Sequence, residues 1–132
     1  MTGYWFLRNL SDADFAGIAE PVPDGPSCAA VAGIARELGI TLGAGLVERG
    51  SDGRLFNSYV VALPNGQVHV HRKLHAFEHG TISCGDSFTV FETPEGVKAG
   101  VLICYDCNLV ENVRCTALLG ADILLAPHQT GG

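Results

Sequence analysis

The sequence has little positive charge and no cluster of it. Eight lysines and arginines stand against 14 aspartates and glutamates, which gives a formal net charge of −6. Proteins bind nucleic acids and anionic membranes through clustered lysine and arginine side chains. The composition therefore argues against nucleic acid and against an anionic membrane as partners.

Long apolar runs and a disulfide pattern are missing as well. No stretch approaches the roughly 18 apolar residues that a membrane span requires, and residues 1–6 lack the basic start and apolar core of a secretory signal. The five cysteines are an odd, scattered set, which is typical of reduced thiols rather than of a disulfide framework. We expect a cytoplasmic protein.

What the sequence does contain is enough apolar material for one folded domain. Hydrophobic residues make up 47% of the 132 residues and charged residues 17%, so disorder is excluded. Seventeen glycines and six prolines indicate many tight turns, most of all across residues 1–26, where closely spaced prolines favour extended backbone.

Apolar periodicity and turn residues predict an α/β fold with mixed sheets. A helix is expected over 27–38 with Val31, Ile34, Ala35 and Leu38 on one face, ended by Gly39. Strands are expected over 40–48, 55–63 and 67–71, the last two joined by an Asn65-Gly66 hairpin turn. Further strands are expected over 88–92, 97–104 and 123–126, and a helix over 109–119 that Asn108 caps together with Glu111. Residues 72–87 form an irregular loop of the kind that often carries function.

Cys104 is the first candidate for catalysis. It ends an apolar strand just before a predicted helix, and α/β sheets place their sites at this edge. A helix N-terminus favours an anion such as a thiolate. The alternative is that Cys104 is a small apolar side chain that completes a buried strand.

Lys73 and Glu78 are the next candidates. Lys73 opens the irregular loop directly after a strand, where its ammonium group would favour a nearby thiolate and stabilise an oxyanion. Glu78 lies five residues further on and would act as a general base or as a partner of Lys73. The alternative for both is a solvated surface charge.

These residues lie in segments that together resemble the nitrilase superfamily of carbon–nitrogen hydrolases. The segments occur in the family's order: AEPVPDGP at 19–26, GAGLVE at 43–48, VHRKLH at 70–75, SCGD at 83–86, GVLICYD at 100–106 and ADILLAP at 121–127. The resemblance implies that residues 1–132 are part of a four-layer αββα sandwich that forms homo-oligomers when complete. It also implies hydrolysis of a small-molecule amide, N-carbamoyl compound or nitrile without metal or cofactor.

The resemblance further implies a Glu–Lys–Cys triad, with Cys104 as the nucleophile that forms a thioester and Lys73 as the lysine. The triad glutamate precedes a Thr-Gly-Tyr-like stretch, which here is residues 2–4, so its position falls upstream of Met1 and is not Glu20. Glu78 is the nearest acid after Lys73 and the candidate second glutamate, whereas Gly80 stands where relatives can carry an acid. The family domain is also about twice as long as this chain, which leaves a truncated, inactive fragment as an alternative.

Two competing hypotheses come from cysteine and histidine spacing. Cys104 and Cys107 form a Cys-x-x-Cys pair, as in thiol redox proteins. His71, His75 and His79 are spaced by four, which would align them on a helix for metal binding. The glycine at position 80 argues against that helix, and His69 and His71 are expected to alternate onto one exposed face of a strand.

Overall fold

The computed structural model describes residues 10–128, so the Thr-Gly-Tyr segment at residues 2–4 lies outside the described part. The helices are α1 (Asp12–Ile18), α2 (Pro26–Leu38) and α3 (Val110–Leu118), with a 3-10 helix at Cys104–Asn108. The strands are β1 (Glu20–Pro21), β2 (Leu42–Arg49), β3 (Leu55–Ala62), β4 (Val68–Arg72), β5 (Ile82–Ser83), β6 (Thr89–Glu92), β7 (Lys98–Val101) and β8 (Ile123–Leu125).

The first sheet has the strand order β1-β2-β3-β4, and β5 also pairs with β3. Strands β2, β3 and β4 are antiparallel, while β1 on β2 and β5 on β3 are parallel. The second sheet has the order β6-β7-β8, with an antiparallel and a parallel pair. Both sheets are therefore mixed, as the sequence predicted.

The alternation of side chains along β3 and β7 stacks the elements in four layers. Val60 packs with Cys28 of α2 on one face of the first sheet. Its neighbour Val61 points the other way and packs with Ala99 and Val101 of β7. On the outer face of β7, a Cβ at Gly100 would collide with a side chain of α3. The order α2, first sheet, second sheet, α3 confirms the predicted αββα sandwich.

Several local predictions are confirmed because a short segment of sequence determines them. Helix α2 ends at Gly39, which adopts a left-handed φ of 65°. The hairpin between β3 and β4 turns at Gly66 with φ 93°, and Leu63 N–H donates to the Gln67 carbonyl at 2.8 Å. These positions require a backbone conformation that glycine adopts without strain.

One short helix was not predicted, and one helix cap was predicted wrongly. The segment before Glu20 contains α1, whose Ser11 hydroxyl and Asp14 carboxylate form a capping box, so turn-rich composition hid a short helix. Asn108 does not cap α3. Residues 104–108 instead form the 3-10 helix, and Leu109 precedes α3 without any side-chain cap.

The predicted exposed face of His69 and His71 is also wrong. His69 stacks on the ring of Phe91 at 4.5 Å and His71 is 1% exposed, because that face of β4 is turned toward the second sheet. On α2, Ala35 is buried but Ile34 and Leu38 are 45% and 62% exposed. In β8, which was predicted as a strand, Ile123 is 48% exposed. Among residues 10–128, no helix has the length and hydrophobicity to cross a bilayer.

Candidate active site

Cys104 lies at a strained turn just beyond β7. Its φ is 52°, which among the described residues makes it the one non-glycine residue with positive φ. This left-handed conformation costs about 1 kcal/mol or more for a residue with a Cβ. The turn is held by Cys104 N–H, which donates to the Pro127 carbonyl at 2.9 Å. The thiol is partly exposed. Strain of this kind at a strand end is typical of functional positions.

Lys73 directly follows β4 and continues its pairing with β3. Its N–H donates to the Asn57 carbonyl at 2.8 Å, and its own carbonyl accepts from Gly85 N–H at 2.7 Å. The whole residue is inaccessible to solvent. Lys73 is therefore not the solvated surface charge that the sequence left open, and its backbone is fixed on both sides.

The ammonium group of Lys73 is paired with Glu78. Nζ donates to Glu78 Oε1 at 2.5 Å, and the two side chains are 0% and 1% exposed. The same oxygen accepts from Asn57 Nδ2 at 2.6 Å, while Oε2 accepts from Phe77 N–H at 2.8 Å. A buried ion pair requires such further hydrogen bonds to offset the loss of hydration. Nζ also lies 4.6 Å from the centre of the Phe77 ring, a favourable cation–π distance.

These groups open onto one cavity of about 140 Å³. Six of its lining residues are Asn57, Tyr59, Lys73, Glu78, Cys104 and His128. The structure thus brings together all three residues singled out from the sequence, at the edge where β4, β7 and β8 end. This arrangement places a thiol, a buried cation and a carboxylate around the same small space.

Cys107 does not share this setting. Its Sγ is 3.7 Å from the Leu102 carbonyl, to which the thiol donates. Burial raises the pKa of the Cys107 thiol, and the nearby Asp106 and Cys104 charges raise it further. Both cysteines of the Cys-x-x-Cys pair are free thiols. Cys107 is thereby kept protonated, which is the wrong state for a thiol that has to attack.

The three histidines spaced by four lie in three different environments. His71 is buried on β4 and hydrogen-bonds to Thr89 Oγ1, His79 packs on the Phe15 ring at 4.5 Å, and His75 is exposed. Within residues 10–128, no group of three or more histidines, cysteines or acids is placed to hold a metal ion. The helical alignment required for metal binding does not form.

Sequence reasoning missed three residues at or under the cavity. Asn57, which holds Glu78, was visible only as a polar residue inside an otherwise apolar strand. His128 follows the proline that ends the last apolar segment, and its Nδ1 donates to the Ala126 carbonyl at 2.9 Å. Asp106 is completely buried, although it stood in the GVLICYD segment without an assigned role.

Comparison with known proteins agrees with the geometry. A family model described as carbon-nitrogen hydrolase matches residues 1–132. Omega-amidase NIT2 of Xenopus tropicalis is 38% identical over 125 residues, which cover 86% of this chain and 45% of the relative. The chain thus spans less than half the length of that relative.

Solved structures show the same fold. A carbon–nitrogen hydrolase from Helicobacter pylori G27 superposes with a TM-score of 0.84 at 28% identity, over 98% of this chain and 45% of the other. An amidase variant from Nesterenkonia sp. AN1, with acrylamide added to its active-site cysteine by Michael addition, gives a TM-score of 0.67 at 29% identity. That match covers 79% of this chain and 42% of the amidase.

Proposed function

Because the chain belongs to the carbon–nitrogen hydrolase family, we propose that the intact protein hydrolyses a small-molecule amide with Cys104 as its nucleophile. The observation that carries this proposal is the cavity shared by the strained Cys104 turn and the buried Lys73–Glu78 pair. Amide chemistry is proposed ahead of nitrile or N-carbamoyl chemistry because an omega-amidase and an amidase are among the relatives matched over most of this chain.

The proposed reaction has two halves. The Cys104 thiolate adds to the amide carbon, and the negative charge that develops on the carbonyl oxygen is stabilised by the Lys73 ammonium group. The C–N bond then breaks, the nitrogen leaves with a proton as ammonia or an amine, and a thioester remains on Cys104. Water adds to the thioester carbon, and the C–S bond breaks to release the acid and the thiolate.

Glu78 is proposed as the residue that holds the Lys73 ammonium group in place. Its Oε1 accepts from both Lys73 Nζ and Asn57 Nδ2, which supports the partner role among the two considered from the sequence. Because both oxygens of the Glu78 carboxylate already accept hydrogen bonds, the group is poorly placed to take up and release protons during the reaction. The proton transfers are assigned to the triad glutamate that the family resemblance implies. Homo-oligomer formation and a cytoplasmic location stay predictions.

A screen for ammonia release tests the proposed function. The intact protein is incubated with simple amides, N-carbamoyl amino acids and nitriles, and the Cys104→Ala variant gives the background. Ammonia release from amides well above that background is the expected result. Release from nitriles alone would move the protein to the nitrilase branch, and no release from any class would favour an inactive fragment.

Cys107→Ala is expected to keep most of the activity, within about threefold in kcat/KM. The physical reason is that the Cys107 thiol is held protonated and donates to a backbone carbonyl rather than facing the substrate space. Steady-state ammonia release measures this. A strong loss of activity together with a reversible Cys104–Cys107 disulfide in the parent protein would instead support the redox hypothesis.

A further inference from the structure

The Asp106 side chain binds two separate segments of the chain at once. Its Oδ2 accepts from Leu74 N–H at 3.1 Å and its Oδ1 from His75 N–H at 2.8 Å. Its Oδ2 also accepts from Ile103 N–H at 3.2 Å. The carboxylate is completely buried, so these backbone groups replace the water that an exposed aspartate would have.

The two segments are those that carry the proposed catalytic groups. Leu74 and His75 immediately follow Lys73, and Ile103 immediately precedes Cys104. A second contact joins the same segments, because the Phe77 ring meets the Tyr105 ring edge-on at 5.2 Å. The Phe77 and Tyr105 side chains are both more than 40% exposed, so Asp106 is the buried one of these two connections.

The surroundings keep Asp106 ionised. Burial by itself raises the pKa of a carboxyl group, but here the neighbouring His71 ring and the three backbone N–H groups outweigh it and hold the pKa of Asp106 below its usual value. His71 Nε2 is 3.9 Å from Oδ2. An ionised carboxylate only accepts hydrogen bonds, which matches three converging donors.

We propose that Asp106 is a positioning residue that fixes the Lys73 segment against the Cys104 turn. The inference rests on the proposed function of Cys104 and Lys73 and adds the group that sets their relative placement. Asp106 does not line the cavity, so it acts through its two neighbours and not on the substrate. The Asp106 carboxylate binds backbone N–H groups and not the Lys73 ammonium group. The ammonium group therefore pairs with Glu78 and can act in the reaction.

Asp106→Asn tests this with a minimal change of shape. An amide has one acceptor oxygen and one donor NH₂ group, so in either orientation the NH₂ group faces at least one of the three N–H donors. At least one connection between the segments is thereby lost. Asp122→Asn is the matched control, because the exposed Asp122 carboxylate accepts a single backbone bond, from Lys98 N–H at 3.0 Å, which an amide oxygen can keep.

In the intact protein, Asp106→Asn is expected to lower kcat for amide hydrolysis by roughly 10- to 100-fold, the size of effect that a displacement of about 1 Å produces. KM should change little, because Asp106 touches no substrate. Alkylation of Cys104 by iodoacetamide, followed by mass spectrometry, should slow by about fivefold as the lysine moves away from the thiol. Asp122→Asn should leave all three values unchanged.

Unchanged kcat and alkylation rate in folded Asp106→Asn would overturn the proposal, as would a rise in KM alone. Hydrogen exchange in the parent protein provides a test that needs no variant. Peptides covering residues 73–77 and 102–106 should open together, and independent opening would also overturn the proposal. If the parent hydrolyses no amide at all, the proposed function fails, while the alkylation and exchange results still decide the role of Asp106.

Discussion

Replacing Cys104 with alanine is expected to abolish amide hydrolysis by the intact protein, a loss of roughly 10⁴-fold or more in kcat. The reason is chemical, since a thioester needs a thiol and Cys104 is the one cysteine among the described residues that line the cavity. The fold should survive. The side chain is partly exposed and alanine keeps the Cβ, so the free energy of unfolding should change by about 1 kcal/mol or less.

The measurement combines ammonia release with a thermal melt and mass spectrometry of the protein after substrate addition. The parent should show a mass increase on the peptide that contains Cys104, and the variant none. Cys84→Ala is the control, because Cys84 is an exposed thiol that does not line the cavity. This substitution should leave the rate of ammonia release unchanged. Retained hydrolysis in the Cys104→Ala variant would rule out the mechanism.

Lys73→Met is expected to remove activity and to destabilise the protein at the same time. The substitution keeps an unbranched chain of similar length but leaves the Glu78 carboxylate, whose side chain is 1% exposed, without its cation. Breaking a buried ion pair by removing one partner costs about 3–5 kcal/mol. Urea denaturation of the intact protein measures the change in the free energy of unfolding.

A double-mutant cycle separates the two effects of Lys73→Met. Adding Glu78→Gln removes the unpaired charge while keeping an acceptor for Asn57, so the double variant should recover part of the lost stability. Activity should not return, because the oxyanion still lacks its cation. If Lys73→Met proved as stable as the parent, the buried pair would be refuted. If it proved active, the catalytic role of Lys73 would be refuted.

The fold could be predicted from the sequence where a few adjacent residues determine the outcome. Gly39 ends α2 and Gly66 turns the β3–β4 hairpin because both need positive φ. Runs of apolar residues bounded by turn residues predicted both ends of β3 and the start of β7 to within one residue of the observed bounds. The same local reasoning failed for α1, because a helix of seven residues is too short for periodicity to stand out.

Burial could not be predicted in the same way. His71 was assigned to an exposed face, yet the second sheet covers it and leaves it 1% exposed. Ile34 and Ala35 were assigned to one face of α2, yet Ala35 is buried while Ile34 is 45% exposed. The pattern of polar and apolar residues indicates which residues share a face. It does not indicate which face another layer will cover, since that depends on how distant segments pack.

The sequence by itself determined the family resemblance, the order of the longer helices and strands, and the choice of Cys104, Lys73 and Glu78 as candidates, because each rests on short segments of the chain. Only the tertiary structure decided that Lys73 and Glu78 are buried as a pair and share a cavity with Cys104. It alone gave Asp106 a role, since the carboxylate meets backbone groups about 30 residues away. Contacts at that separation form only when the two sheets pack, so no local pattern encodes them.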